Sequence, residues 1–185
     1  LNHATAAVRS NGSTMKPLLV YAPAIEYGVS FPAKTLINAP ISINGYSPGN
    51  YAGGGITGLT TAREALKKSY NIPAVLQYKE IVNRRPAEYL KKMGFSSLHE
   101  ADYTNLSTSL GALERGVTVE ENTNAFATFA NGGEFVDAYM IEKIVDVEGN
   151  VVYQHKVEPV DVFSPQTAYI MTDIFSHSQR SFCMS

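Results

Sequence analysis

After a small, polar opening over residues 1–12, apolar side chains recur from Met15 through Leu18, Leu19, Ala22 and Ile25 at the spacing of one helix face, and they stop near Gly28. Pro17 is tolerated only in a first turn, so the helix starts close to Ser13. The pattern then lapses. Residues 30–58 are rich in Gly, Pro, Asn and Ser and read as a long surface loop, a feature that in compact domains tends to border a site. Thr61-Ala-Arg-Glu64 is a capping box opening a helix to about Tyr70, before Pro73. A short helix around 74–83 follows, then another with Pro86 at its start and Gly94 as its stop. Thr118-Val-Glu-Glu121 is a second capping box, whose helix ends at Gly132. Alternation around Glu148-Gly149-Asn150 predicts a β-hairpin, and Ser164-Pro165 starts a last helix near 165–176. Helices first and one late hairpin make an α-rich α+β unit with no internal repeat.

Composition narrows the field. The 185 residues are 44% hydrophobic and 17% charged, enough for one globular domain with a core. The net charge is −2 and no Lys/Arg run exceeds two residues, so nucleic acid has no electrostatic footprint. The single cysteine, Cys183, excludes an internal disulfide and reads as a spectator thiol in a polar tail. No segment has the apolar length of a membrane span. The four histidines show no metal-ligand spacing, so the expected metal content is none.

Two short patterns carry chemistry. Ser13 and Lys16 form Ser-x-x-Lys where a helix begins, with Lys16 one turn beyond Ser13 on the same face. A serine hydroxyl needs a base, and a lysine in a dry pocket can be neutral enough to serve. The open helix N-terminus favours developing negative charge. The same residues also fit a plain N-cap at Ser13 and a solvated Lys16. Ser69-Tyr70-Asn71 places a hydroxyl and a carboxamide two residues apart, able to relay a proton and hold an amide. Ser42-Ile43-Asn44 repeats that spacing inside the loop.

Together the two patterns match the first two of three motifs, Ser-x-x-Lys, Ser-x-Asn and Lys-Thr-Gly, shared by penicillin-binding proteins and class A β-lactamases. The flanking words "GSTMKPLLVYAPAIEYG", "TAREALKKSYNIPAV", "SLGALERGVTVEENTNAFATFANGGEF" and "IEKIVDVEGNVVY" resemble the transpeptidase domain of class A (bifunctional) penicillin-binding proteins, in unbroken order over about residues 2–175. The 56-residue separation of Ser13 and Ser69 is typical of that family. By this resemblance Ser13 is the acylated nucleophile, Lys16 its general base, and Ser69 the group passing the proton to the leaving amine. Asn71 holds the peptide stem and Tyr70 lines the groove, as Tyr51 could. The implied reaction is D,D-transpeptidation of peptidoglycan stem peptides ending in D-Ala-D-Ala, with β-lactams as mimics and no cofactor. Its implied setting is the outer face of the bacterial cytoplasmic membrane, beside other cell-wall synthesis proteins. A serine β-lactamase or D,D-carboxypeptidase, or a non-catalytic cell-wall-binding remnant, are the alternatives.

The third motif is absent. None of Lys79, Lys91, Lys92, Lys143 and Lys156 is followed by Thr-Gly or Ser-Gly, and Lys34-Thr35 continues into Leu36. Residues 1–175 therefore read as a partial transpeptidase domain and 176–185 as an atypical tail. The expected fold is the α-rich part of the serine β-lactamase/penicillin-binding transpeptidase fold, with most of its central antiparallel sheet missing. That loss is expected to strip the Ser13 helix of an apolar surface, and the oxyanion site of one backbone donor worth about 10²–10³ in rate, so this piece by itself is expected to be catalytically weak or inactive.

Overall fold

The computed structural model of the chain describes residues 2–51 and 55–180, the last four through their backbone alone. Ala52–Gly54 of the predicted loop, and the end of the tail with Cys183, lie outside the described residues.

One helical segment forms the axis of the molecule and changes pitch twice. A tight 3₁₀ turn covers Gly12–Thr14, wide π-type turns follow over Lys16–Tyr21, and α1 spans Ala22–Glu26. Pro17 and Pro23 bracket the wide turns, and neither offers an N–H to the carbonyl four residues back. The Ala22 N–H instead reaches the Pro17 carbonyl, five residues back. Every residue from Met15 to Ala24 is buried, as expected of a helix surrounded on all sides. Its cover comes from α2 (Ala62–Lys67), α3 (Asn71–Ile81), α4 (Ala87–Lys92), the 3₁₀ turn Leu106–Leu110 and α6 (Pro165–Arg180). The expectation that this helix lacks an apolar surface is therefore corrected. Helices from further along the chain, between residues 62 and 180, provide one.

Helix starts follow their caps. Thr61 Oγ1 accepts from the Glu64 N–H at the head of α2, and the Thr118–Glu121 box opens α5 (Val119–Ala130) in both directions. Gly132, at φ +68°, ends α5. The helix expected around 74–83 instead begins at Asn71, because Pro73 sits in the first turn, where no N–H is needed. The last helix runs to Arg180 rather than stopping near 176. An aromatic stack ties these helices to the centre. Tyr89 stacks on Phe163 at 4.8 Å, Phe163 on Phe129 at 5.7 Å, and Phe175 meets Phe129 edge-on at 5.6 Å.

Strands are few and short. The predicted hairpin is β4 (Lys143–Val145) paired antiparallel with β5 (Val151–Gln154). Two further pairs escaped the sequence pattern: β1 (Thr35–Asn38) with β2 (Gly58–Thr61), and β3 (Glu134–Phe135) with β6 (Val160–Asp161). The span 30–58 is thus a loop only between two strands. β1 buries Leu36 and Asn38 on one face, and a polar residue in an inward position hides the alternation.

Candidate functional site

Ser13 lies on the exposed 3₁₀ turn at the head of the central helix. That turn is pinned from the far side. Gly111, at φ +85°, sits so close that a Cβ there would fall 2.4 Å from the Gly12 backbone, and the Ser10 hydroxyl donates to the Gly111 carbonyl at 2.7 Å. On the other flank, Asn11 Nδ2 and Thr14 Oγ1 both donate to Asn122 Oδ1 of α5, at 2.8 and 3.2 Å. Sequence reading missed Asn122, because nothing in the one-dimensional pattern pairs α5 with the Asn11-Gly12 turn.

Three residues on, Lys16 is fully buried, which removes the solvated first-turn reading. All three protons of its ammonium are engaged. They go to the Ser69 carbonyl at 2.6 Å, to Ser69 Oγ at 3.0 Å and to Asn71 Oδ1 at 2.7 Å. Burial lowers its pKa from 10.5 to about 8, so the neutral, proton-accepting form is accessible just above neutral pH. This contact also separates the two Ser-x-Asn copies. Lys16 meets Ser69 and Asn71, whereas Ser42 and Asn44 sit exposed in a turn closed by the Ile43–Tyr46 pair.

Ser69 itself occupies the left-handed region, at φ +55°. A non-glycine residue costs roughly 1–2 kcal/mol there. The kink falls between α2 and α3 and turns the Ser69 carbonyl and hydroxyl together toward Lys16. The Ser69 and Tyr70 N–H groups close the end of α2 onto the Leu66 and Ala65 carbonyls. Asn71 is oriented from both sides: its oxygen meets an ammonium that can only donate, and its Nδ2 meets the Gly49 carbonyl, which can only accept, at 2.7 Å.

Ser13, Ser69 and Tyr70 share one recess of about 210 Å³ with Asn50, Tyr51 and Lys68. Tyr70 is half-buried against the core, while Tyr51 is 88% exposed at the rim. All five residues singled out from the sequence thus converge: Ser13, Ser69 and Tyr70 on the recess, Lys16 and Asn71 directly behind it. The arrangement holds a hydroxyl at an open helix end, a buried amine of lowered basicity, and a second hydroxyl bonded to that amine. Such a set can take a proton from one hydroxyl and pass it through another.

The family profile described as the penicillin binding protein transpeptidase domain matches residues 1–181. Penicillin-binding protein 1F of Bacillus subtilis is 37% identical over 166 residues, which cover 90% of this chain and 22% of that protein. Penicillin-binding protein 4 of the same organism is 31% identical over 180 residues, 97% of this chain and 28% of that one. The chain therefore spans about a quarter of the length of these curated relatives. Among solved structures, the penicillin G acyl-enzyme complex of penicillin-binding protein A from M. tuberculosis superposes with a TM-score of 0.86, at 22% identity, over 97% of this chain and 46% of that one. That likeness extends to the fold.

Proposed function

Since the chain belongs to the penicillin binding protein transpeptidase domain family, we propose that it carries the serine acyl-transfer half of a peptidoglycan D,D-transpeptidase site. The observation that carries this reading is the three-way grip of the buried Lys16 ammonium on Ser69 and Asn71, within one turn of Ser13. In its neutral form Lys16 takes the Ser13 proton as Ser13 Oγ attacks the carbonyl of the D-Ala-D-Ala bond of a stem peptide. The collapsing intermediate expels D-Ala, and the proton returns to the leaving amine through the Ser69 hydroxyl. The acyl group remains on Ser13 as an ester until an amine of a second strand attacks it, giving the cross-link and freeing the serine. Asn71 and Tyr70 hold the stem peptide along the recess. A β-lactam follows the same first step, but its leaving nitrogen stays tethered, so the ester persists.

The developing oxyanion needs preorganised donors. The Ser13 N–H stands at the helix start, where helix geometry provides no partner of its own. The second donor would come from a Lys-Thr-Gly or Lys-Ser-Gly strand, and the 185 residues contain neither sequence. The chain alone therefore acylates slowly. The substrate sets the location: the outer face of the cytoplasmic membrane, where cell-wall peptide is assembled. No helix among the described residues is long and apolar enough to cross a membrane.

The test is labelling with a fluorescent penicillin, followed by mass spectrometry. Slow, stoichiometric modification of Ser13, abolished in Ser13→Ala, is the expected result. Label that persists in Ser13→Ala would remove Ser13 from its role.

A further inference from the structure

The grip of Lys16 on Ser69 and Asn71 is only as good as the backbone that presents those residues, and that backbone is strained at Ser69. What holds it from the opposite side is a second carboxamide. Asn50 Oδ1 accepts from the Asn71 N–H at 2.8 Å and from the Ile72 N–H at 3.2 Å. It thereby caps α3 from a residue 21 positions away, in place of a local cap. Its other end is fixed as well: Asn50 Nδ2 donates to Asn38 Oδ1 at 2.8 Å. Asn38 is fully buried at the end of β1, and its own Nδ2 donates to the Gly55 carbonyl at 2.8 Å and to Thr57 Oγ1 at 3.0 Å.

The polarity of this chain of groups is forced. Two peptide N–H groups demand an oxygen from Asn50, so its nitrogen faces Asn38. Asn38 must then offer an oxygen to it, and its nitrogen meets the Gly55 carbonyl. The staple between Asn38 and residues 55–57 closes the neck of the loop, and Asn50 carries that closure to the first turn of α3. The Gly49 carbonyl, one residue earlier, orients the Asn71 side chain. No other residue pair in the loop couples its neck to the Ser69–Asn71 turn among the described hydrogen bonds.

We propose that Asn50, backed by Asn38, is a positioning residue for the acylation site: it holds the Ser69–Asn71 turn in the kinked form that engages Lys16. The proposal rests on the acyl-transfer reading only for its consequence in turnover, because the positioning itself is measurable in the resting chain. Asn50→Ala removes both the acceptor and the donor. Asn50→Asp keeps the acceptor for the two N–H groups but sets an oxygen in place of the donor against Asn38 Oδ1, so it retains the cap and loses the backing.

The experiment is NMR on the 185-residue chain at pH 6, following amide exchange at Asn71 and Ile72 and the Lys16 ammonium resonance, which is visible only while its protons are held. In Asn50→Ala the two amides exchange at least tenfold faster and the Lys16 resonance disappears into the solvent. In Asn50→Asp, where the cap survives without its backing, the two amides exchange at rates between those of wild type and Asn50→Ala, and the Lys16 resonance broadens. Met93→Ala, which loosens the buried core at a residue outside this chain of groups, lowers the melting temperature and keeps the Lys16 resonance. Unchanged amides and an unchanged Lys16 signal in Asn50→Ala would overturn the proposal. So would wild-type exchange together with a wild-type Lys16 signal in Asn50→Asp, which decides the matter alone if the alanine variant does not fold. Penicillin labelling separates the two readings. Equal labelling rates in wild type and Asn50→Ala defeat the positioning role and spare acyl transfer. Absence of any labelling defeats acyl transfer and leaves the NMR result standing.

Discussion

Met15–Ala24 and Lys143–Gln154 are both rich in apolar residues, and both were legible as regular elements from spacing alone. Their surroundings are opposite. The first is buried at every position, whereas β4 and β5 are exposed at every position, with Ile144, Val145, Val151, Val152 and Tyr153 all in contact with solvent. The difference lies in what the rest of the chain brings to each. The central helix is met by elements from residues 62 to 180. The hairpin is shaped by its own turn, where Asp146 Oδ1 accepts from the Glu148 and Asn150 N–H groups and the Gly149 N–H returns to the Asp146 carbonyl. Hydrogen bonds, first of all from the Asn150 side chain, hold the Asp146 carboxyl below its usual range. Apolar periodicity selects an element's type, and only tertiary neighbours decide whether its apolar atoms leave water.

The sharpest test of this contrast pairs two truncations. Leu18→Ala in the fully buried helix should cost about 2–5 kcal/mol in urea unfolding, and Val152→Ala in the hairpin less than about 0.5 kcal/mol. Similar costs would erase the distinction. Next in size is the burial of Lys16. Its folded pKa of about 8 lies below the unfolded 10.5, so the unfolded chain binds the extra proton between those values and stability rises with pH across that window. The gain is about 2–3 kcal/mol. Burial raises the pKa of the Tyr21 and Tyr78 hydroxyls, which oppose the trend as the unfolded tyrosines ionise near pH 10. The difference between wild type and Lys16→Met isolates the lysine, and a flat difference from pH 8 to 10 would mean that Lys16 is hydrated.

Gly111→Ala comes third. A side chain at φ +85° meeting the Gly12 backbone should cost about 1–3 kcal/mol and shift the turn bearing Ser13. Denaturant midpoints report the first effect, and the rate of penicillin labelling the second. The smallest effect belongs to the hairpin turn. Asp146→Ala should speed amide exchange at Gly149 and Asn150 while leaving the global unfolding midpoint in place. A cooperative loss of the whole fold would show that the hairpin is coupled to the core after all.

Much of the site was readable because it lies at helix ends, where capping and proline rules are local. Ser13, Lys16, Ser69, Asn71 and Tyr70 follow from two short patterns and their flanking words. Asn11–Asn122, Gly12–Gly111 and Asn38–Asn50 did not follow, since each joins residues whose own neighbourhoods give no sign of the partner. β1 was missed for a related reason, as its inward Asn38 serves the hydrogen-bonded loop neck rather than an apolar core.

By itself the sequence determined the order of helices, the caps that start them, the late hairpin, and the residues proposed for acyl transfer. Those features rest on backbone propensities acting over a few residues. The tertiary structure decided which Ser-x-Asn copy faces Lys16, that Lys16 is dry enough to lose its proton near pH 8, and that helices cover the central segment. Each of these depends on desolvation and on contacts between residues distant in the chain, quantities that exist only once the chain has folded around them.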